Sequence, residues 1–204
     1  MTDVAARLTV VPANEASWGD LQTIFGARGD PPRCQCQRFK LAPKESWRSV
    51  GREELAHRLR TQTHSGHPES EATTGLVAYL DGEPVGWCAV EPRPAYHGLL
   101  RAFRVPWQGR TEDKTDDSVW AVTCFVTRAG YRRQGITYAL TRAVVDFARE
   151  RGARALEGYP MLTEPGEDIA WGELHVGKRS IFDAAGFREV NHPTPRRVVM
   201  RVDL

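Results

Sequence analysis

The chain predicts an α/β layer structure of the α+β kind, with a central mixed and mainly antiparallel sheet flanked by helices. Three observations lead there. A β-hairpin signal lies mid-chain, a later apolar strand run ends close to the start of an amphipathic helix, and the elements follow the order β, α, β hairpin, β, α, β, α, β. No internal repeat breaks that order, and 204 residues suit one sizeable core, so residues 1–204 are read as a single domain.

Residues 8–11 are apolar and close at Pro12, after which Trp18, Leu21, Ile24 and Phe25 recur at helical spacing behind Asn14, giving strand then helix. Residues 26–50 contain Pro31, Pro32 and Pro43 and read as an irregular stretch holding Cys34, Cys36, Phe39 and Trp47. A long loop with aromatics borders a site about as often as it merely covers the core. Residues 52–60 form a short helix with Leu55, Ala56 and Leu59 inward, and residues 61–74 read as a mobile loop. The hairpin uses residues 75–80 and 84–90 around Asp81 and Gly82. A polar loop over 104–118 then delivers a central strand at 119–126. Ile136, Leu140, Val144, Phe147 and Ala148 share one face of the clearest helix, which Gly152 stops. Residues 153–159 form another strand, 178–185 a short helix ended at Gly186, and 196–203 a final strand with Val198, Met200 and Val202 alternating.

Hydrophobic residues make up 41% and charged residues 26%, with a net charge of only +2 from scattered arginines, so a nucleic-acid partner has no support. No apolar run is long enough for a membrane span, and Asp3, Glu15 and Asp20 stand where a secretory leader would be apolar, so a cytoplasmic location is expected. Four cysteines do not make a secreted disulfide framework, and reduced thiols follow.

The segment VWAVTCFVTRAGYRRQGIT, residues 119–137, carries the chemistry. It brings a strand end to a helix start, where unpaired N–H groups and the helix dipole suit a pyrophosphate. Gly135 admits a close backbone approach, and Arg132 and Arg133 add positive charge; a bare surface turn is the bland alternative. Neither a P-loop nor a dinucleotide fingerprint is present.

In this context the turn resembles the motif of the GNAT superfamily, GCN5-related N-acetyltransferases: Arg or Gln, two variable residues, Gly, one variable residue, then Gly or Ala. Arg132, Gly135 and Thr137 occupy the fixed places, with Thr137 departing from the small last residue. The resemblance continues to SIFDAAGF at 180–187 and covers about the last ninety residues. It implies an acetyl-CoA (or other acyl-CoA) cofactor. Phe125, Val126 and Thr127 would hold the pantetheine arm through backbone groups, and Arg132, Arg133, Gln134, Gly135, Ile136, Thr137 and Tyr138 would cradle the pyrophosphate. It also implies attack of a neutral amine on the thioester, an oxyanion stabilised by N–H groups, and a thiolate that must be protonated.

The family's common acid, a Tyr four residues before the closing Gly, is Phe182 here, and the Asn seven residues earlier is His175. Inactivity, solvent protonation or a substitute group all remain open, and His175 and Tyr159 are the candidate catalytic substitutes, each with a bland alternative as surface or packing residue. Glu91, Glu157 and Glu173 are further carboxylates near element ends. The Cys34–Cys36 pair with His64, His67 and His97 lacks zinc-site spacing, so no metal is expected, and Cys124 reads as a buried inert thiol. Trp47 and Trp171, in segments 26–50 and 161–175, are the tryptophans expected to flank an acceptor cleft. The expected acceptor is a small-molecule amine or a peptide N-terminus, with a homodimer left open. The alternative is a noncatalytic coenzyme A binding or partner-binding module of the same fold.

Overall fold

The computed structural model describes residues 8–163 and 169–204. Seven strands, β1 (Leu8–Pro12), β2 (Leu76–Leu80), β3 (Glu83–Pro92), β4 (Val119–Thr127), β5 (Ala155–Gly158), β6 (Arg188–Thr194) and β7 (Arg197–Asp203), join in one sheet. Their spatial order is β1-β2-β3-β4-β5-β7-β6, and every neighbouring pair is antiparallel except β4 with β5. The mixed, mainly antiparallel sheet expected from the sequence is present.

The helices are α1 (Trp18–Phe25), α2 (Pro31–Cys34), α3 (Trp47–Val50), α4 (Arg52–Thr63), α5 (His97–Arg101), α6 (Ile136–Glu150), α7 (Trp171–Leu174) and α8 (Arg179–Asp183). Period-two alternation sorts the strands onto two faces. Leu76, Ala78, Cys88 and Val90 share a core with Ile136, Leu140 and Val144 of α6, whereas Val77, Trp87 and Ala89 share one with Leu21, Ile24 and Phe25 of α1.

On β4 the alternation is broken once. Ala89 pairs with Cys124 and Val90 with Val122, so Thr123 is an extra, bulged residue. Val122 and Phe125 therefore face α6 together although three positions apart, and Cys124 and Val126 face α1. Pairing with β5 stops at the same place, because only residues 119–122 of β4 meet residues 155–158 of β5. Past Val122 the two strands no longer pair.

The ring of Phe182 sits against β5 where that pairing ends. It is fully buried, at 6.0 Å from the Phe125 ring and 5.1 Å from the Phe187 ring. Gly158 makes room for it, since a Cβ there would lie 2.2 Å from Phe182 Cε1.

Three sequence expectations need correction. β6 was not expected: its sequence REVNHPT is polar and half-exposed and carries Pro193, which an edge strand tolerates. The stretch 26–50 is not irregular throughout, for α2 begins at consecutive prolines and α3 is capped reciprocally by Ser46 and Ser49. Segment 61–74, expected as a mobile loop, extends α4 to Thr63 and is then tied down by Asn14, whose amide Nδ2 donates to the Ser70 carbonyl at 2.9 Å. Thr73 Oγ1 in turn accepts from the Asn14 N–H at 3.1 Å.

Gly158→Ala is expected to cost about 1–3 kcal/mol by overpacking against Phe182. The cost should shrink in a Gly158→Ala/Phe182→Leu double variant, and urea denaturation of the single and double variants measures both.

Candidate active site

The turn 128–135 brings the chain from β4 to α6. Gly135 adopts φ 76°, a left-handed conformation that costs an L side chain but not glycine, and no side chain caps the helix behind it. Among the described residues no side-chain hydrogen bond from the N-cap satisfies the first-turn N–H groups of this fifteen-residue helix, which have no partner within the helix itself. Beside them opens a cleft of about 460 Å³ bounded by Phe125 and Thr127 of β4, Arg132, Arg133, Thr137 and Tyr138 of the turn and α6, and Gly177, Lys178, Ser180 and Ile181 opposite. Among the described residues three cations, Arg132, Arg133 and Lys178, line it, and no carboxylate does. Across the mouth, the Tyr138 hydroxyl donates to Ser180 Oγ at 3.1 Å.

Of the residues singled out for the cofactor, Phe125, Thr127, Arg132, Arg133, Thr137 and Tyr138 come together in this cleft. Gln134 and Gly135 are exposed on the turn just outside it. Ile136 is buried in the α6 core. Val126 departs from expectation: its side chain packs on the α1 face and it is registered with Trp87, so it does not line the cleft. Strand geometry explains this, since the Arg128 N–H reaches Val85 of β3 at 2.9 Å, and residue 126, two positions back, shares that direction while 125 and 127 face the gap. Phe125 itself is not an open donor. Its N–H donates to the His175 carbonyl at 2.6 Å. Lys178, Ser180 and Ile181 of the cleft went unread; the signal for them was the predicted helix beginning at Lys178.

The two candidate proton-transfer residues lie in unlike places. Tyr159 is fully buried and lines no cleft, and its hydroxyl donates to Glu157 Oε2 at 3.2 Å. Burial, reinforced by Glu157, pushes that phenol well above its ordinary range. Glu157 is itself fully buried among arginines: Arg110 at 2.6 Å, Arg201 at 3.2 Å and Arg93, also fully buried, at 3.3 Å. A carboxylate so matched holds the fold and is not positioned to receive an amine proton. Glu91 is likewise engaged, with Lys40 at 2.5 Å, and Glu173 is a half-exposed carboxylate 3.7 Å from Arg196.

His175 lies between two cavities. The stretch from His175 to Gly177 separates the cleft from a second cavity of about 370 Å³, lined by Arg38, Phe39, Phe103, Glu173, His175 and Arg197 among others. Nδ1 lies 3.0 Å from the Gly172 carbonyl, which can only accept, so Nδ1 carries the proton. Burial, with help from Arg38, lowers the imidazole to about 3, and it is neutral at physiological pH.

Trp47 half-covers a broad groove and lies 4.8 Å from the Arg38 guanidinium. The side chain of Trp171 and residues 164–168 of the expected acceptor segment lie outside the described residues. All four cysteines are buried; Cys36 Sγ is 3.0 Å from Cys124 Sγ and accepts from Trp87 Nε1 at 3.1 Å. Burial raises the Cys124 thiol well above its usual range, which keeps it protonated.

A family model described as acetyltransferase (GNAT) family matches residues 38–160, and the chain belongs to that family. Solved structures of the same fold span nearly the whole chain at low identity. An aminoglycoside acetyltransferase, AAC(6')-Ib, in complex with coenzyme A is 16% identical over 96% of this chain and 94% of that one, with a TM-score of 0.53. An N-acetyltransferase from Staphylococcus aureus Mu50 is 12% identical over 96% and 98%, with a TM-score of 0.52. The GNAT domain of S. lividans PAT is 17% identical over 97% and 89%, with a TM-score of 0.51. No curated protein sequence matches the chain.

The lowered pKa of His175 has a sign. Below about 6.5 the unfolded chain takes up a proton that the folded chain refuses until about 3, so stability falls as pH drops through that window. Urea midpoints at pH 7.5 and pH 5 should therefore separate less for His175→Gln than for the parent protein.

Proposed function

We propose that the protein is an acyl-CoA dependent N-acetyltransferase that acylates the primary amine of a small molecule by direct transfer. One observation carries the reading: a cleft that, among the described residues, is lined by three cations and no carboxylate, at the uncapped N-terminus of α6 and beside the parting of β4 from β5. The lining fits coenzyme A in both its parts. Arg132, Arg133, Lys178 and the first-turn N–H groups suit a pyrophosphate, while Phe125, Leu174 and Ile181 offer an apolar wall for a pantetheine arm. The coenzyme A complex of the aminoglycoside enzyme of the same fold supports the assignment.

When bound, acyl-CoA supplies an activated thioester, whose acyl carbon is bonded to the amine nitrogen as the carbon–sulfur bond breaks, with one proton leaving the amine and one reaching the thiolate. Among the residues of this chain, Thr127 keeps its backbone groups toward the gap, and the His175 carbonyl must give up Phe125 before the arm can use that N–H. His175 acts as a positioning residue, through its main chain and without changing charge near neutral pH. Phe182 brings no proton to the sulfur, and the buried Tyr159 is held by Glu157, so the thiolate is protonated from solvent.

The buried Phe182 also favours a second reading, a module that binds coenzyme A without turnover. Thiol release from acetyl-CoA with an amine library distinguishes the two.

Arg133→Glu and Lys178→Glu are each expected to weaken acetyl-CoA binding by about tenfold or more, as each places a negative charge against the pyrophosphate. Isothermal calorimetry measures it, and a cofactor-induced rise in melting temperature for the parent alone would agree. Tyr159→Phe should lower stability by about 1 kcal/mol and leave the shape of the kcat against pH profile unchanged. A loss of about 100-fold in kcat with a shifted profile would instead make Tyr159 the acid.

A further inference from the structure

The 370 Å³ cavity on the far side of His175 has an uneven charge balance. Arg38 and Arg197 both line it, and among the described residues neither is paired with a carboxylate. Among the described residues Arg197 donates to backbone carbonyls, those of Glu173 at 3.1 Å and Tyr159 at 3.5 Å. The Nε of Arg38 is buried without a hydrogen-bond partner, and its guanidinium rests 4.8 Å from the Trp47 ring. Among the described residues Glu173 is the one carboxylate in the lining; it lies 3.7 Å from Arg196 and also acts on Arg197 through space, one charge shared between two arginines. On the other side of Arg38 the groove continues past Arg33, Arg48 and Arg52, where the one carboxylate among the described residues, Glu45, is already held by Arg58 at 2.9 Å.

Elsewhere in the molecule buried arginines are matched: Arg93, Arg110 and Arg201 converge on Glu157 and Glu112. The departure from that pattern at Arg38 and Arg197 occurs at an open cavity with an apolar side, where Phe39 and Phe103 pack with ring centroids 5.2 Å apart. Two guanidinium groups facing one cavity repel each other and attract an anion.

We propose that the acceptor is a small amine of the amino-acid type, with its anionic group, a carboxylate or phosphonate, clamped by Arg38 and Arg197 and its side chain against Phe39 and Phe103. The proposal rests on the transferase reading above. Burial first, and then Arg38 and Arg197, keep His175 neutral, and the same two arginines disfavour an ammonium ion in the cavity, so they help present the nucleophile as a free amine. A polycationic amine is repelled from this cavity on the same grounds.

The test uses the full chain with acetyl-CoA, thiol release as the readout, and three arms: the free amino acids, the matching aminophosphonates, and the matching amides and decarboxylated amines with spermidine added. At least one acid should be acetylated with kcat/KM on the order of 100-fold above its own amide, because a site built for an anion strongly rejects the analogue lacking it. The first two arms tell carboxylate from phosphonate. Arg38→Gln and Arg197→Gln should each raise KM for that acid about 10- to 100-fold and erase the preference over the amide. Melting temperature and the calorimetric Kd for acetyl-CoA should stay near parental values. Better turnover of amides, decarboxylated amines or spermidine overturns the proposal, and so does failure of every acid to be acetylated by protein that binds acetyl-CoA. Failure of acetyl-CoA itself to bind in the calorimeter is a separate result, which removes the transferase reading and this proposal with it.

Discussion

The site depends on an interrupted strand pairing. β4 and β5 lie side by side in the middle of the sheet yet share only residues 119–122 and 155–158. Inside a sheet, backbone groups that lose a neighbour must find another acceptor or donor, since a buried unpaired amide is costly. The bulge at Thr123 starts the divergence and turns Phe125 toward α6, the Phe182 ring stands against Gly158 where pairing ends, and the His175 carbonyl takes the Phe125 N–H that β5 has abandoned. Each is a consequence of the parting. A ligand entering the gap must therefore match a 2.6 Å hydrogen bond already formed, and on the proposed reading that exchange couples the segment from His175 to Gly177 to cofactor entry.

What was legible in the sequence shares one property: it repeats. The α6 face and the β2–β3 hairpin announce themselves through period and turn chemistry, and the turn before α6 through a fixed spacing of Arg132, Gly135 and Thr137. β6 lacked a signal because an edge strand buries little, and its Pro193 and alternating polar residues are what an edge permits. α2 could have been found from Pro31 at its first position, yet four residues carry no periodicity. Val126 was misplaced for a subtler reason. Adjacent strand residues point their backbone groups to opposite neighbours, so a run of three cannot all face one ligand, and the bulge that fixes the phase has no sequence mark.

The proposed acceptor side was illegible because charge pairing is a property of three dimensions. In the sequence Arg38, Arg93, Arg110, Arg197 and Arg201 are alike, scattered residues behind a net charge of +2. Folding divides them. Three converge on Glu157 and become part of the core, and two are left around a cavity without carboxylate partners among the described residues. Desolvating a guanidinium without a counter-ion costs stability, so the imbalance is the feature that asks for a ligand, whereas the more deeply buried Glu157 cluster asks for none.

The same division bears on how protons are handled. His175, Tyr159 and Phe182 are the residues that family position or residue type offered for acid–base work, and the fold withdraws each by a different route. Burial near Arg38 keeps His175 neutral, burial beside Glu157 keeps the Tyr159 proton on its oxygen, and Phe182 has no proton to give. What is left is the electrostatic field. On the proposed reading the cavity of Arg38 and Arg197 favours the free amine over the ammonium, and the cations of the cofactor cleft, by the same sign, favour a departing thiolate, without any of them exchanging a proton. In the proposed reaction the arginines thus stand in for a general base, with water carrying the protons at the open end of the cleft.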